Sequence, residues 1–442
     1  MQTKARAFSL PVPSIPAILT AALSFLPMTS NAQTSEATGA ATAAPATPPR
    51  SAEAEKVLKV YNDAGYREAA KLGSVLLAAE PDNHELRFAV ANSYAWTGNL
   101  TEAATHYKAL QGTSYAPRAA LGLANVYRWD GLYGLALPLY QEALSAMPED
   151  KDAKEGMTYL MRELRQRTQA GEIWAQDSLN TLRNGAIVAH RWTDPTMRHR
   201  MEIEVDAMRD RRNDLGVNQR DLTFRYEGIA NVLKPRVVIS GQQAPRGALF
   251  AAGEIQLPNL PIAVSAGHVN WGKLAFDPNA LNANLSANRL GIQGRVPSDI
   301  GQFSFNYIAS RVTDGNTVQD FNFKYKPAWQ PVKIPEVKFY VGFEGRKALF
   351  NSPAYWSPKD GSYLGVIGVE AEWQDLKWER GIVLAYGVPL GGEARTSTSA
   401  YGRLKRWINN EWAVVFTAGY QQSSRSGAYR ATSANLSLEK LW

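Results

Sequence analysis

A pattern of residues that recurs every 33 positions dominates residues 51–150 and constrains the first part of the chain more than any other feature. It predicts units of helix, glycine turn and helix, in which a small alanine lets the two helices approach closely. Residues 151–168 are charged and amphipathic and predict a capping helix. Because such units stack side by side, we expect a helical repeat domain over residues 51–170. The recurring positions are Tyr61, Tyr94 and Tyr127, then Gly65, Gly98 and Gly131, then Ala70, Ala103 and Ala136.

From about residue 172, apolar residues alternate with polar ones in segments separated by turns rich in glycine, asparagine, aspartate and proline. Phe303, Phe305 and Tyr307 share one face of such a segment, whereas Ser304 and Asn306 share the other. A period of two indicates a β-strand whose two faces meet different surroundings. About fifteen such segments occur, and because bacterial barrels have an even number of strands, we expect about 16 strands over residues 171–442.

The two faces of these segments favour a transmembrane barrel over a soluble sandwich. Aromatic and branched residues lie on one face, and charged and amide residues lie on the other. A barrel in a membrane turns its apolar face to lipid and keeps a polar lumen. The last segment ends on Trp442, which resembles the terminal aromatic signal of outer-membrane barrels, although Lys440 departs from that pattern. A soluble β-sandwich with its apolar face inside is the alternative interpretation.

The first 32 residues have the features of a secretory signal peptide. Lys4 and Arg6 form a basic start, and residues 17–26 form a short apolar core. Ser30 and Ala32 offer small residues to a signal peptidase. Residues 33–50 are rich in alanine, threonine and proline and predict a disordered linker. We therefore expect an exported protein with its repeat domain in the periplasm and its barrel in the outer membrane.

The composition limits the kinds of binding and catalytic site that the chain can contain. The chain has no cysteine, which excludes disulfides, zinc-thiolate sites and iron–sulfur clusters. Its net charge is +7, with the excess in the second half, where it could meet lipopolysaccharide phosphates or an acidic glycan but not nucleic acid. No metal-binding histidine pair, nucleophile elbow or phosphate loop occurs, so we expect no metal, no cofactor and no catalytic residue. An outer-membrane hydrolase is the enzymatic alternative, and it would have to use His190 or His268.

Two resemblances add to this interpretation. The repeat of residues 51–150 resembles the tetratricopeptide repeat, which has small and aromatic residues at these positions. The segment Tyr355-Trp356-Ser357-Pro358, followed by Tyr363, resembles one in the barrels of bacterial exopolysaccharide export porins for cellulose and poly-N-acetylglucosamine, and of a related bacteriophage-adsorption protein. Those families also place tetratricopeptide repeats before the barrel, although the cellulose exporter has many more. The resemblance implies an α + β multidomain protein that exports a polysaccharide.

The resemblance also implies partners and site residues. The repeats would bind a periplasmic or inner-membrane synthase component, and the barrel would contact outer-membrane lipid and lipopolysaccharide. Asn92 and Asn125 occupy positions that resemble the ligand-facing side of tetratricopeptide helices, with ordinary bonding between helices as the alternative. The residues expected along a glycan path in the lumen are Arg225, Lys324, Lys326, Lys338, Arg403, Tyr355, Trp356 and Tyr363.

Two choices stay open at this point. The lumenal cations either favour an anionic polymer or neutralise aspartate and glutamate across the lumen. The protein is either an export pore with an open lumen or a surface receptor or assembly scaffold whose barrel is a plugged anchor. Long structured loops favour a receptor, and only residues 271–282 and 347–361 are long enough to form them.

Overall fold

A computed structural model of the chain describes residues 51–257, 260–331, 334, 336–423 and 429–442. The predicted signal peptide of residues 1–32 and the predicted linker of residues 33–50 lie outside the described residues. The described chain divides into two compact units, which meet in sequence between Met161 and Arg162. Within the described residues, no helix is both long and apolar enough to cross a membrane.

The first unit is built from helices joined by short turns, whose ends follow from local chemistry. Ser51 accepts a hydrogen bond from the Ala54 N–H and so caps the first helix. Gly98 ends the third helix with a φ of 84°, a conformation that glycine adopts without steric cost. The helices are α1 (Ala52–Asn62), α2 (Tyr66–Ala79), α3 (His84–Thr97), α4 (Leu100–Lys108), α5 (Ala116–Trp129), α6 (Tyr133–Ala146) and α7 (Lys151–Leu164).

The core of this helical unit consists of small residues that lie beside large aromatic ones. Ala103 and Ala136, the alanines that predict a close helix approach, are both fully buried. Tyr107 and Tyr140 are buried as well and fill the space that the alanines leave. The predicted helical domain is confirmed, and the tetratricopeptide character of its units stays a prediction.

The second unit is a closed barrel of sixteen antiparallel strands within the described residues. Each strand pairs with its neighbours in sequence, and β1 closes the barrel against β16. Together with the helices this confirms the predicted fold class. The first strand begins at Arg167 rather than at residue 171, because Arg167 already pairs with Leu441 of the last strand. The first eight strands are β1 (Arg167–Asp177), β2 (Thr181–Thr193), β3 (His199–Arg212), β4 (Leu215–Gly228), β5 (Arg236–Ala244), β6 (Ala248–Gln256), β7 (Ile262–Asn270) and β8 (Ser286–Ser298).

The remaining strands complete the barrel, and side chains alternate between its two surfaces. Leu290 on β8, Ile367 on β12 and Leu436 on β16 are each more than half exposed on the outer surface. On β3, Asp206, Met208 and Asp210 point inward and are buried, while Ala207 and Arg209 between them are exposed. The surface is therefore apolar outside and charged inside. The strands are β9 (Gly301–Val312), β10 (Thr317–Pro327), β11 (Val337–Ala348), β12 (Ser362–Gln374), β13 (Trp378–Gly392), β14 (Ser397–Trp407), β15 (Trp412–Ser423) and β16 (Tyr429–Leu441).

The two ends of the barrel differ. We name the end that holds Arg167 and Leu441 the terminal end, and the opposite end the loop end. Outward aromatic side chains form a girdle at the terminal end, as they do where a barrel meets a membrane surface. At the loop end, the long connection of residues 271–285 contains α8 (Trp271–Ala275) and α9 (Pro278–Asn282), and residues 349–361 form a second long connection. The girdle residues are Trp192, Tyr226, Phe303, Tyr325, Trp378, Trp412 and Trp442.

Candidate functional site

The lumen is lined by ion pairs, and the predicted lumenal cations take part in them. Arg225 donates to Glu202 and to Glu204, at 2.8 Å in each case. Lys324 lies 3.4 Å from Glu370, and Lys326 contacts the other oxygen of the same carboxylate. All six side chains point inward, so Arg225 shares two carboxylates of the adjacent strand β3, and Glu370 of β12 is shared by two lysines of β10.

The two other predicted cations also lie on the inner surface. Arg403 donates to Glu379 at 3.0 Å. Lys338 has the same strand parity as the buried Tyr340 and stands opposite Glu370 in the β11–β12 register. The lumenal cations thus have carboxylate neighbours, but Lys324, Lys326 and Lys338 are all placed around the single carboxylate of Glu370.

A second group of charges gathers at the terminal end around Glu163, in the last turn of α7. Its carboxylate lies 3.6 Å from Arg167, 3.5 Å from Arg191 and 3.3 Å from Arg200. Burial by itself would raise the pKa of Glu163, but these three guanidinium groups lower it to about 2. The carboxylate is therefore ionised at neutral pH and, within the barrel unit, joins arginines of the first three strands.

The long connection of residues 271–285, which we name the inner loop, reaches across the lumen from β7 and β8 to β3 and β4. Lys273 donates to Asp206 at 2.8 Å and to Asp221 at 2.6 Å. Both carboxylates are inward side chains and nearly fully buried. The inner loop therefore occupies the lumen at the loop end.

Further contacts hold the inner loop to the same wall. Asp277 of the loop accepts from Arg212 of β3 at 2.6 Å. The Arg183 guanidinium of β2 lies 4.9 Å from the centre of the Phe276 ring and is paired with Asp210. All the contacts with this far wall named here involve a charged group, which makes them sensitive to charge removal.

The second long connection, residues 349–361, packs beside the inner loop. The Tyr355 hydroxyl donates to Asp314 at 2.9 Å, and its ring lies edge-on to Trp271 at 5.4 Å. The Ser357 hydroxyl accepts from the Ser352 N–H at 2.6 Å, which closes a tight turn. The predicted motif thus folds this connection and anchors the base of the inner loop.

The other two aromatic residues of the predicted path lie in different places. Trp356 is half-buried, and the Arg346 guanidinium lies 5.2 Å from the centre of one of its rings. Tyr363 has the opposite parity to the buried Ser362 and Leu364, and its ring stacks with Phe343 on the outer surface at 6.4 Å. Tyr363 is therefore not a lumen residue in this fold, because its place in β12 turns it outward.

In the helical unit, Asn92 and Asn125 each bond a buried tyrosine of the following helix. Tyr107 donates to Asn92 at 2.6 Å, and Tyr140 donates to Asn125. Burial raises the pKa of Tyr107, so its hydroxyl stays protonated and donates. Asn92 also donates to Tyr61 at 3.0 Å. These bonds give both asparagines a structural role between helices.

The two histidines of the enzymatic alternative have neutral partners. His190 lies 2.9 Å from the Thr168 hydroxyl, and His268 lies 2.8 Å from the Asn288 side-chain oxygen. The part of the chain that the structure describes contains no group of three histidine, aspartate or glutamate side chains placed to hold a metal ion.

Sequence reasoning missed the charged residues outside the strands that pair with inward side chains at the two ends of the barrel. The inward charges Asp206 and Asp221 follow from strand alternation, but nothing in the sequence indicates that Lys273 crosses to them. Glu163 reads as one more charge on an amphipathic helix, because its arginine partners belong to other strands.

No family model and no curated protein matches this chain. A solved structure described as a bacterial polysaccharide outer membrane secretin is similar in fold, with a TM-score of 0.50 and 11% identity, over 63% of this chain and 98% of that one. The CymD monoaromatic hydrocarbon channel matches at 11% identity and a TM-score of 0.33, over 64% of this chain and 91% of that one. OprB from Pseudomonas putida matches at 9% identity and a TM-score of 0.32, over 66% of this chain and 98% of that one. The second unit is thus similar in fold to the barrel of that outer-membrane secretin.

Proposed function

We propose that this protein is an outer-membrane pore for the export of a polysaccharide. The observation that carries the proposal is a closed barrel of sixteen strands in the described residues, with an apolar outer surface and an inner surface of charged and amide groups. Only lipid makes an exposed apolar band favourable, and only a hydrophilic cargo or water makes a polar lumen useful. The similarity in fold to a polysaccharide secretin supports the choice of cargo.

The chemistry of the lumen suits a sugar polymer. Sugar hydroxyl groups exchange hydrogen bonds with charged and amide side chains, including side chains that already take part in ion pairs. In this proposal Arg225, Lys324 and Arg403, with Lys326 and Lys338, line the path, while Tyr355 and Trp356 shape its loop end. The aromatic residues act as structural supports of the loops, and Tyr363 faces lipid.

The proposed orientation follows from the connections. Bacterial barrels place short turns in the periplasm and longer loops outside the cell. The loop end, with residues 271–285 and 349–361, would then be extracellular, and the terminal end periplasmic. The helical unit precedes β1 in the chain, so it would be periplasmic and would bind a synthase component there. The outer surface would contact lipid and lipopolysaccharide.

A plugged receptor or assembly scaffold is the second candidate, and the inner loop is the observation that favours it. Lys273, Asp277 and Phe276 join this loop to the far wall of the barrel. A permanent plug of this kind would leave an anchor with no transport path. The two candidates differ in whether polymer secretion depends on the protein.

The test is the amount of polysaccharide inside and outside cells that lack the gene, complemented with the full chain or with a Lys4→Ala control of the signal region. Export predicts that secreted polymer falls, that periplasmic polymer accumulates, and that the full chain restores secretion. Unchanged secretion in cells that are making a polymer would overturn the export proposal and leave the scaffold. A conductance measurement on the purified protein then shows whether any path exists.

A further inference from the structure

Asp206 and Asp221 form an unusual pair in the wall of the barrel. They stand directly opposite each other on β3 and β4, and both point inward. Like charges at directly opposed positions destabilise a sheet, more so when they are buried. The contact of Lys273 with both carboxylates offsets this repulsion. The wall thus contains a two-carboxylate seat, Asp206 and Asp221, that requires a cation.

The seat holds more negative than positive charge. One ammonium group faces two carboxylates, and the Oδ1 atoms of both Asp206 and Asp221 have no hydrogen-bond partner within the described residues. Both side chains are almost completely buried. An unpaired seat would be costly, so the ammonium of Lys273 is held strongly as long as the inner loop stays in the lumen.

The inner loop is attached differently on its two sides. At its base, Trp271 and Ala280 belong to an apolar cluster with Val269, Ala287 and Tyr355, which surrounds the loop end of β7 and β8. Towards β2, β3 and β4, its ion pairs and its cation–π contact involve Lys273 and Asp277 of the loop and Arg183 of the wall, and α9 also lies beside β3 and β4. An apolar base and a charged far edge give the loop the arrangement of a hinged lid.

We propose that the inner loop is a releasable lid and that Lys273, seated between Asp206 and Asp221, is its latch. The proposal rests on the pore part of the proposed function and not on the nature of the cargo. In the latched state the loop crosses the lumen and blocks it. When the latch is lost, the charged far edge separates from the wall, the apolar base stays in place, and the lumen opens at the loop end.

The test is the conductance of the purified full-length protein in planar lipid bilayers. Lys273→Met removes the ammonium and is expected to raise the time-averaged conductance by about tenfold or more over the parent protein. Lys273→Arg keeps the charge and should stay closed. Lys405→Met is the matched control, because Lys405 also lies between two buried carboxylates, Glu379 and Glu439, but joins strands only. A conductance of Lys273→Met equal to that of the parent and of Lys405→Met would overturn the latch.

A second variant and a second readout protect the test from a folding failure. Asp206→Asn with Asp221→Asn removes the seat without leaving an unpaired carboxylate pair, and it should also open the pore. Because the chain has no cysteine, Phe276→Cys introduces a single thiol at a buried position of the lid edge that lies beside Arg183. Its maleimide labelling should be slow with Lys273 in place and at least about tenfold faster with Lys273→Met. Equal labelling rates would contradict a lid that lifts.

The outcomes separate the latch from the export proposal. Opening by Lys273→Met together with unchanged secretion in the deletion strain would keep the latch and overturn polysaccharide export. Loss of secretion in the deletion strain, with Lys273→Met closed and Phe276→Cys unreactive in the Lys273→Met background, would keep export and overturn the latch.

Discussion

At the residue scale, the interior of the barrel shows how a charged side chain can be buried without being left unpaired. Glu163 is the clearest case, because its side chain is only 8% exposed and lies among three arginines. Isolated burial of a carboxylate would be strongly unfavourable, and the arginines reverse that preference. One side chain at the end of α7 thereby depends on three strands of the barrel.

Glu163→Gln tests this dependence through pH. The folded-state pKa of Glu163 is lowered to about 2, below its ordinary value of 4.5. Its contribution to stability is therefore present above about pH 4.5 and is lost as the pH falls towards 2. We expect Glu163→Gln to lower the free energy of unfolding by about 3 kcal/mol at neutral pH. Urea unfolding in lipid vesicles measures this, and the difference from the parent should shrink below pH 4.5.

The control for that experiment is Glu155→Gln, on the same helix. Glu155 lies 4.0 Å from Lys151 and its side chain is 30% exposed, so this pair contributes less than about 1 kcal/mol. A difference for Glu163→Gln that is no larger than the control, or that does not change with pH, would show that the arginine cluster does not depend on Glu163.

The residue scale also shows what alternation can and cannot predict. Arg225 and Lys324 are buried on the inner face of their strands, and a period of two fixes the face once the neighbouring apolar residues are recognised. Tyr363 was assigned through a motif and not through parity, and its actual face is the outer one. Motif membership says nothing about which way a strand residue points.

At the element scale, the helices fit together through glycines that lie beneath tyrosine rings. A Cβ atom added to Gly122 on α5 would overlap the ring of Tyr107 on α4, and one added to Gly156 on α7 would overlap Tyr140 on α6. The rings are fully buried and bonded through their hydroxyls, so they have little room to move. The repeated spacing of tyrosine in the sequence reflects this packing.

Gly122→Ala should therefore destabilise the helical unit even though alanine favours helices. Overlap with a confined ring costs about 1–3 kcal/mol, which exceeds the gain in helix propensity of about 1 kcal/mol. Thermal unfolding followed by the helical circular dichroism signal of the full chain measures the effect. Lys56→Ala, at an exposed position of α1, should leave the transition temperature unchanged. A transition temperature for Gly122→Ala equal to or higher than that of the parent would show that the Tyr107 ring can move aside for the added Cβ atom.

The sequence predicts the length of the two long connections but not where they lie in the fold. The two long connections are visible in the sequence as interruptions of the alternating pattern. The path of residues 271–285 into the lumen depends on contacts between Lys273 and strands more than 50 residues away, as the separations of 67 and 52 positions show. Such pairings carry no local signal, so only the closed barrel brings them together.

At the scale of the whole molecule, the barrel is the part that the sequence predicted best. The even number of strands follows from alternation and chain length, and the last strand closes on the first. The start at Arg167 was missed because β1 has few large apolar residues, and Gly171 interrupts its alternation. The terminal Trp442 donates to the Thr168 hydroxyl at 2.8 Å, which seals the junction between the last and first strands.

The membrane itself provides the last test, because an apolar outer surface stabilises a barrel only in lipid. Leu222 lies in the middle of β4 and is 56% exposed on that surface, whereas Val232 is 63% exposed in the turn after β4 at the terminal end. An arginine at the centre of the bilayer costs about 2–4 kcal/mol, and one at its edge costs about 0–1 kcal/mol. In lipid vesicles, Leu222→Arg should therefore have a free energy of unfolding about 2–4 kcal/mol lower than that of the parent. Val232→Arg should have a free energy of unfolding close to that of the parent. If both variants fold equally well in vesicles, the outer surface of this barrel does not face lipid, and a soluble or partner-covered barrel takes its place.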